Sequence, residues 1–68
     1  MNTSRAIKTA AAAHSLKLCE VAERAGQDTK QFYNFLLAKN PTLKSIERAA
    51  AAVGCRVVLI DEGGKIYD

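Results

Sequence analysis

Hydrophobic residues recur every three or four positions over most of this 68-residue chain, which is the spacing of one face of a helix. The pattern stops and restarts three times, so it predicts four helices. Their predicted ranges are residues 4–13, 17–25, 29–37 and 43–53. The residues predicted to face inward are Ile7, Ala10, Ala11 and His14, then Leu18, Val21, Ala22 and Ala25, then Phe32, Phe35 and Leu36, and finally Leu43, Ile46, Ala49, Ala50 and Val53.

Residues that commonly begin or end helices lie at the predicted boundaries. Gly26 follows the second helix, and glycine readily adopts the left-handed conformation that ends a helix. Asp28 can cap the third helix, with Gln31 as its capping-box partner three residues later. Asn40-Pro41 interrupts the chain because proline pushes the preceding residue out of the helical region. The other boundary candidates are Asn2, Thr3 or Ser4 and Thr42 as N-caps, and Gly54 as the end of the fourth helix.

After Gly54 the helical spacing gives way to a β-branched and aliphatic run. It predicts a strand over residues 55–60, a turn over residues 61–64 and a short strand over residues 65–67. A lone hairpin is marginal in water, so its apolar faces must pack on the helices or pair with a second copy of the chain. We favour the pairing, because an open apolar edge strand invites aggregation. The predicted dimer interface consists of Arg56, Val57, Val58, Leu59 and Ile60.

The sequence therefore predicts a mainly α fold, in which four helices are followed by a C-terminal strand or hairpin used for dimerisation. A chain this short makes a single small domain. Its net charge of +3 is unevenly distributed, since residues 1–60 carry nine bases and four acids and the last eight residues carry one base and three acids. The body is thus about +5, which favours an anionic partner.

Several classes of protein are not expected. Cys19 and Cys55 lie 36 positions apart and His14 is the only histidine, so no metal-ligand spacing is present and no cofactor is expected. We expect both cysteines to be small, partly buried residues. The core is too small for a deep substrate cavity and no nucleophile motif accompanies His14, so an enzyme is not expected. No apolar run reaches the length of a membrane span, which favours a cytoplasmic protein with reduced thiols.

The second and third predicted helices form the pattern of a helix-turn-helix unit, in which two helices are joined by a tight turn containing glycine. Ala22 lies four residues before Gly26, where a methyl side chain lets the helices approach closely. Phe32 and Phe35 follow six and nine residues after Gly26, where they can wedge the third helix against the core. The second helix of such a unit enters the major groove of DNA.

Residues 16–54 resemble the phage repressor and Cro family of helix-turn-helix proteins. The residues that carry the resemblance are Leu16, Val21, Ala22, Gly26, Phe32, Ile46, Ala50 and Gly54. The strand that follows and the total length are also similar to those of the smallest Cro-type repressors, in which a C-terminal strand can pair two subunits. The chain departs from the family pattern at Leu18, where glutamine is common, and at Gln27, where an apolar residue is common.

The resemblance implies that the third helix faces base edges. Lysine can donate to guanine, asparagine can bond adenine bidentately, and threonine or tyrosine can contact a thymine methyl group or a phosphate. The implied base-reading residues are Thr29, Lys30, Tyr33 and Asn34, with Gln31 either reaching a base or held in the capping box. The implied phosphate contacts are Lys17, Lys39, Asn40, Thr42 and Lys44.

The function implied is that of a sequence-specific DNA-binding transcriptional repressor, which binds an inverted repeat as a homodimer and regulates its own promoter. Small phage regulators of this type include the anti-CRISPR-associated repressors. Two alternatives stay open. One is an antitoxin that binds DNA and docks a toxin through its C-terminal strand or fourth helix. The other is a protein-interaction module that keeps the helix-turn-helix shape without binding DNA.

Overall fold

The computed structural model describes residues 2–68. Its elements are α1 (Thr3–Ala13), α2 (Leu18–Arg24), α3 (Thr29–Leu37), α4 (Leu43–Ala52), β1 (Leu59–Ile60) and β2 (Ile66–Tyr67). The predicted fold class, mainly helical with a C-terminal hairpin, is confirmed. Each helix begins and ends within one residue of its predicted bounds. No helix in residues 2–68 has the length and apolarity needed to cross a membrane.

The predicted N-caps hold three of the helices. Asn2 Oδ1 accepts a hydrogen bond from the backbone N–H of Arg5 at 2.9 Å, and Thr42 Oγ1 accepts one from Ser45 at 3.1 Å. Asp28 caps α3 in the same way. Each of these bonds satisfies a backbone donor that the first turn of a helix leaves without an intrahelical partner. The helix starts are therefore fixed by local chemistry.

The core lies where the four helices meet. Its largest fully buried side chains are Phe32, Val21 and Val53. Small residues fill most of the remaining core, which lets short helices approach closely. The other buried residues are Ile7, Ala11, Ala22, Ala25, Leu36, Ala49, Ala50 and Ala52.

Two residues predicted to face inward are exposed instead, as is each cysteine. His14 is the C-cap of α1 and lies beyond the turn whose Ala11 packs inward. Leu43 is the first residue of α4 and remains 60% exposed, because the helix meets the core only from its second turn onward. Cys19 and Cys55 are free and exposed, so the expectation that they are partly buried is wrong.

The predicted strand over residues 55–60 is too long, because only Leu59 and Ile60 pair. They lie opposite Tyr67 and Ile66 respectively in an antiparallel register. In this register Val58 falls opposite the last residue of the chain, so residues 55–57 have no residue opposite them among those described. The second strand likewise begins one residue later than predicted.

The turn over residues 61–64 is confirmed, and Asp61 organises it. One oxygen of its carboxylate accepts the backbone N–H groups of Gly63 and Lys65, each at 3.0 Å. The other oxygen accepts the phenol O–H of Tyr67 at 3.2 Å. The backbone carbonyl of Asp61 accepts the N–H of Gly64 at 2.9 Å. One side chain thus ties together both strands and the turn between them.

Candidate nucleic-acid interface

The corner between α2 and α3 is tight and rests on the core. Gly26 has φ +73°, a conformation that an L side chain disfavours, and the N–H of Gln27 donates to the carbonyl of Ala22 at 3.0 Å. Ala22 and Phe32 are 1% and 0% exposed, so the two helices meet with no room for water between them. Phe35 packs beside Phe32 with 5.8 Å between ring centroids. The core therefore fixes how α3 is presented to the outside.

A complete capping box fixes the first turn of α3. Asp28 Oδ1 accepts the backbone N–H of Gln31 at 2.7 Å, and Gln31 Oε1 accepts the N–H of Asp28 at 3.1 Å. The amide oxygen of Gln31 is therefore engaged in a hydrogen bond within the chain. Of the two roles that the sequence left open for Gln31, the structure shows the capping one.

The outer face of α3 carries the other four predicted base-reading residues. Thr29, Lys30, Tyr33 and Asn34 are all exposed, and their spacing of three or four residues puts them on neighbouring turns of one face. Together they offer an ammonium group, an amide and two hydroxyl groups. No acidic residue occurs anywhere within α3. The face is thus polar and without negative charge.

The predicted phosphate contacts lie at two places in the chain, before α2 and after α3. Lys17 is the N-cap residue of α2 and is exposed. The others follow α3 in the junction and at the start of α4: Lys39, Asn40, Thr42 and Lys44 are all exposed. The hydroxyl of Thr42 is engaged locally, because it accepts from the backbone of Ser45 and donates to its Oγ at 2.9 Å.

A groove of about 820 Å³ beside this junction was not predicted from the sequence. It lies between α1 and the C-terminal end of α3, and Arg5, Lys8 and Lys39 line it; we call it the basic groove. Its volume is in the range of ligand sites, but it is an open surface groove and not a deep cavity of the kind considered from the sequence. The sequence contained one signal for this groove. Arg5 and Lys8 are basic residues three positions apart on α1, and both are exposed beside its buried face.

The predicted dimer interface lies in and before the hairpin, mostly open to solvent. Leu59 is 75% exposed and Ile60 is 63% exposed, while Val58 is half-buried. Arg56 is exposed and forms an ion pair with Asp68 at 3.2 Å, which joins the two ends of the hairpin. The hairpin therefore does not act as part of the monomer's core.

A second, smaller groove connects the hairpin to the helices. It has a volume of about 260 Å³ and lies between α1, α4 and residues 55–60. Ile7, Ile46, Val57 and Ile60 are among the side chains that line it; we call it the apolar groove. Ile66 and Tyr67 on the second strand are each about half exposed. One surface thus combines an apolar groove with exposed apolar strands.

Nothing in the described residues forms a metal centre. No group of three or more His, Cys, Asp or Glu side chains in residues 2–68 could hold a metal ion. No side-chain nitrogen or oxygen that is buried there lacks a hydrogen-bond partner. The polar chemistry of residues 2–68 is therefore a surface chemistry.

No protein-family model matches this chain. No curated protein and no solved structure matches it significantly. The resemblance to the Cro family therefore stays a prediction.

Proposed function

We propose that this protein is a sequence-specific DNA-binding transcriptional repressor that acts as a homodimer. Helix α3 of each subunit would enter the major groove at one half of an inverted repeat. Two half-sites read in this way lie about 34 Å apart, one turn of the double helix. The homodimer is part of the proposal, because a two-fold symmetric protein reads a two-fold symmetric site.

One observation carries the proposal: a tight, core-anchored corner presents an exposed α3 face that is polar and free of acidic residues. Phe32, which is fully buried, anchors α3 to the core. The positive φ of Gly26 sets the angle between α2 and α3. An α-helix fits the major groove of B-DNA, which is about 12 Å wide. A rigid helix with exposed donors on one side is suited to that groove.

Lys30 and Asn34 are the residues we propose for base discrimination. They lie one turn apart on α3 and both are exposed. A lysine ammonium matches the O6 and N7 acceptors of guanine, and an asparagine amide matches the N6 and N7 pair of adenine. Thr29 and Tyr33 complete the face. Lys17, Lys39, Asn40 and Lys44 would fix its register through phosphates, and the start of α4 at Thr42 would add backbone N–H groups.

The apolar hairpin supports the homodimer. Leu59 and Ile60 are largely exposed, and an unpaired apolar edge strand is a surface that proteins usually cover. A second copy would cover the apolar groove and the strands of both subunits in one isologous contact. The acidic turn around Asp61 and Glu62 would then lie away from DNA.

We propose repression by occupancy. The homodimer would block a promoter, and we propose that this promoter is the protein's own. Such a regulator works in the cytoplasm, in contact with the nucleoid. Both cysteines are free there in this proposal, as they are in the structure.

Selection from a random duplex library tests the proposal. The purified protein is expected to enrich an inverted repeat whose half-sites lie about 34 Å apart from centre to centre. An Asn34→Ala variant, altered on the exposed face, should enrich a motif with at least one relaxed position in each half-site. Recovery of random sequence by the wild type would contradict the proposal.

The exposed hairpin also favours a second candidate, an antitoxin that docks a toxin there. The same apolar side chains that can pair with a second copy can bind an unrelated protein, since Leu59, Ile60, Ile66 and Tyr67 are all exposed. Sedimentation of the free protein separates the two candidates. A dimer favours the repressor. A monomer that co-purifies with the product of an adjacent gene, and loses it on Leu59→Asp substitution, favours the antitoxin.

A further inference from the structure

The basic groove has positive charge on both of its walls. Arg5 and Lys8 line it from the first two turns of α1, and Lys39 lines it from the junction between α3 and α4. Phe35 and Pro41 also border it, so its walls combine apolar surface with cationic groups. All three cationic residues are exposed.

These three cations are not neutralised within the protein. In residues 2–68 the single ion pair joins Arg56 and Asp68 in the hairpin. No acidic residue lines the basic groove, and none occurs in the first turn of α1. Three like charges that converge on one groove repel one another, so an anion that enters the groove is favoured.

The basic groove is continuous with the surface proposed to meet DNA. Lys39 belongs to both, and Asn40 lies next to it in the chain. The nine residues of α3 span about 12 Å, so its first turns can lie on base edges while its C-terminal end lies nearer the DNA backbone. A helix that reads bases with its first turns therefore brings this groove to the phosphate strand at the edge of the major groove.

We infer that the basic groove receives a stretch of the DNA phosphate backbone, with Arg5 and Lys8 as phosphate contacts from α1. This inference rests on the proposed function and extends the footprint beyond the contacts implied by the family resemblance. A row of phosphates suits an open surface groove whose cations are all exposed. A small anion would be held better by a closed site with buried donors, and residues 2–68 have no buried polar residue.

The salt dependence of DNA binding tests the inference. The slope of log K against log salt concentration is negative, and each phosphate contact makes it steeper by about 0.9. Because each subunit of the homodimer supplies one such contact, Arg5→Gln and Lys8→Gln should each make that slope less steep by about 1.8, and the double variant by about 3.6. Between 50 and 200 mM salt the double variant should then lose about 150-fold less affinity than the wild type does.

Lys65→Gln is the matched control. It removes the same charge, but Lys65 lies in the hairpin, with its Nζ 5.3 Å from the centre of the Tyr67 ring, and lines neither groove. Its slope should equal that of the wild type at concentrations where all variants sediment as the same species. Circular dichroism should show equal helix content throughout, because glutamine is a good helix former.

The outcomes separate the inference from the proposed function. Unchanged slopes for Arg5→Gln and Lys8→Gln, with intact wild-type binding, overturn the inference alone. An equal drop for Lys65→Gln also overturns it, because the effect would then come from net charge. A further outcome is that inorganic phosphate binds at the basic groove while the salt dependence of DNA binding is the same in these variants as in the wild type. In that case the groove is a small-anion site. If the wild type does not bind duplex DNA, both the proposed function and the inference fail.

Discussion

Replacing Gly26 with alanine isolates the backbone geometry of the α2–α3 corner. Gly26 has φ +73°, and no heavy atom lies within 4 Å of the place that a Cβ would occupy. The substitution therefore causes no clash, and its cost is conformational. A left-handed residue with a side chain costs about 1–2 kcal/mol. The restricted unfolded chain offsets about 0.4–1 kcal/mol of this, so we expect a net loss near 1 kcal/mol.

Thermal unfolding followed by circular dichroism measures this loss. For a domain of this size about 1 kcal/mol lowers Tm by about 4–8 °C. The variant stays folded, because a 68-residue domain has a total stability of about 3–10 kcal/mol.

Two further variants serve as controls for the effect of the left-handed backbone conformation. Gly63→Ala should leave Tm nearly unchanged, because Gly63 does not have a positive φ and its Cβ would lie 3.4 Å from a carboxylate oxygen of Asp61. Ser15→Gly should raise Tm, because Ser15 is a residue with a side chain at φ +56°. A Gly26→Ala variant as stable as the wild type, or a Gly63→Ala variant that loses as much as Gly26→Ala, would refute the reasoning.

Three further predictions concern the core, a cap and the hairpin. Phe32→Ala should cost about 3–5 kcal/mol in urea unfolding because Phe32 is fully buried, and a loss no larger than that of the exposed Tyr33→Ala would contradict the packing. Asp28→Ala should lower the free energy of unfolding by about 1 kcal/mol, and Asp28→Ser should restore most of it if the cap is the cause. Leu59→Asp and Asp61→Ala should each shift sedimentation towards monomer, the first by placing a charge in the proposed dimer interface and the second by opening the hairpin turn. A dimer that withstands both would place the interface elsewhere.

Local interactions explain why the helices could be predicted closely. Asp28 and Gln31 bond each other across three residues, and Thr42 bonds the backbone of Ser45 in the same way. Gly26 ends its segment through a conformation that glycine alone adopts easily. Each of these signals lies within a few residues of the boundary that it sets, so the sequence pattern contains it.

Features that depend on distant segments could not be predicted in the same way. The length of the first strand depends on which residues lie opposite it, and the alternation in residues 55–60 says nothing about that register. The exposure of Leu43 depends on where the start of α4 meets the core. The basic groove brings Arg5 and Lys39 together from two elements, and their separation in sequence hides that pairing.

The residues of the candidate site also differ in how far the sequence could predict their roles. The order of Lys30 and Asn34 on one exposed helix face follows from helical spacing and could be predicted. The engagement of Gln31 in the capping box could be predicted only as one of two roles, because the same side chain can serve either. The structure shows the capping role, in which Gln31 Oε1 accepts the backbone N–H of Asp28 at 3.1 Å.

Titration of the wild type, Asn34→Ala and Lys44→Ala against the selected repeat and against scrambled DNA tests the central claim most directly. The wild type should bind the repeat more tightly than scrambled DNA. Asn34→Ala should lose about 1–3 kcal/mol for each half-site of the repeat and almost nothing on scrambled DNA, whereas Lys44→Ala should lose equally on both. Equal binding of the wild type to the two DNAs would contradict the account.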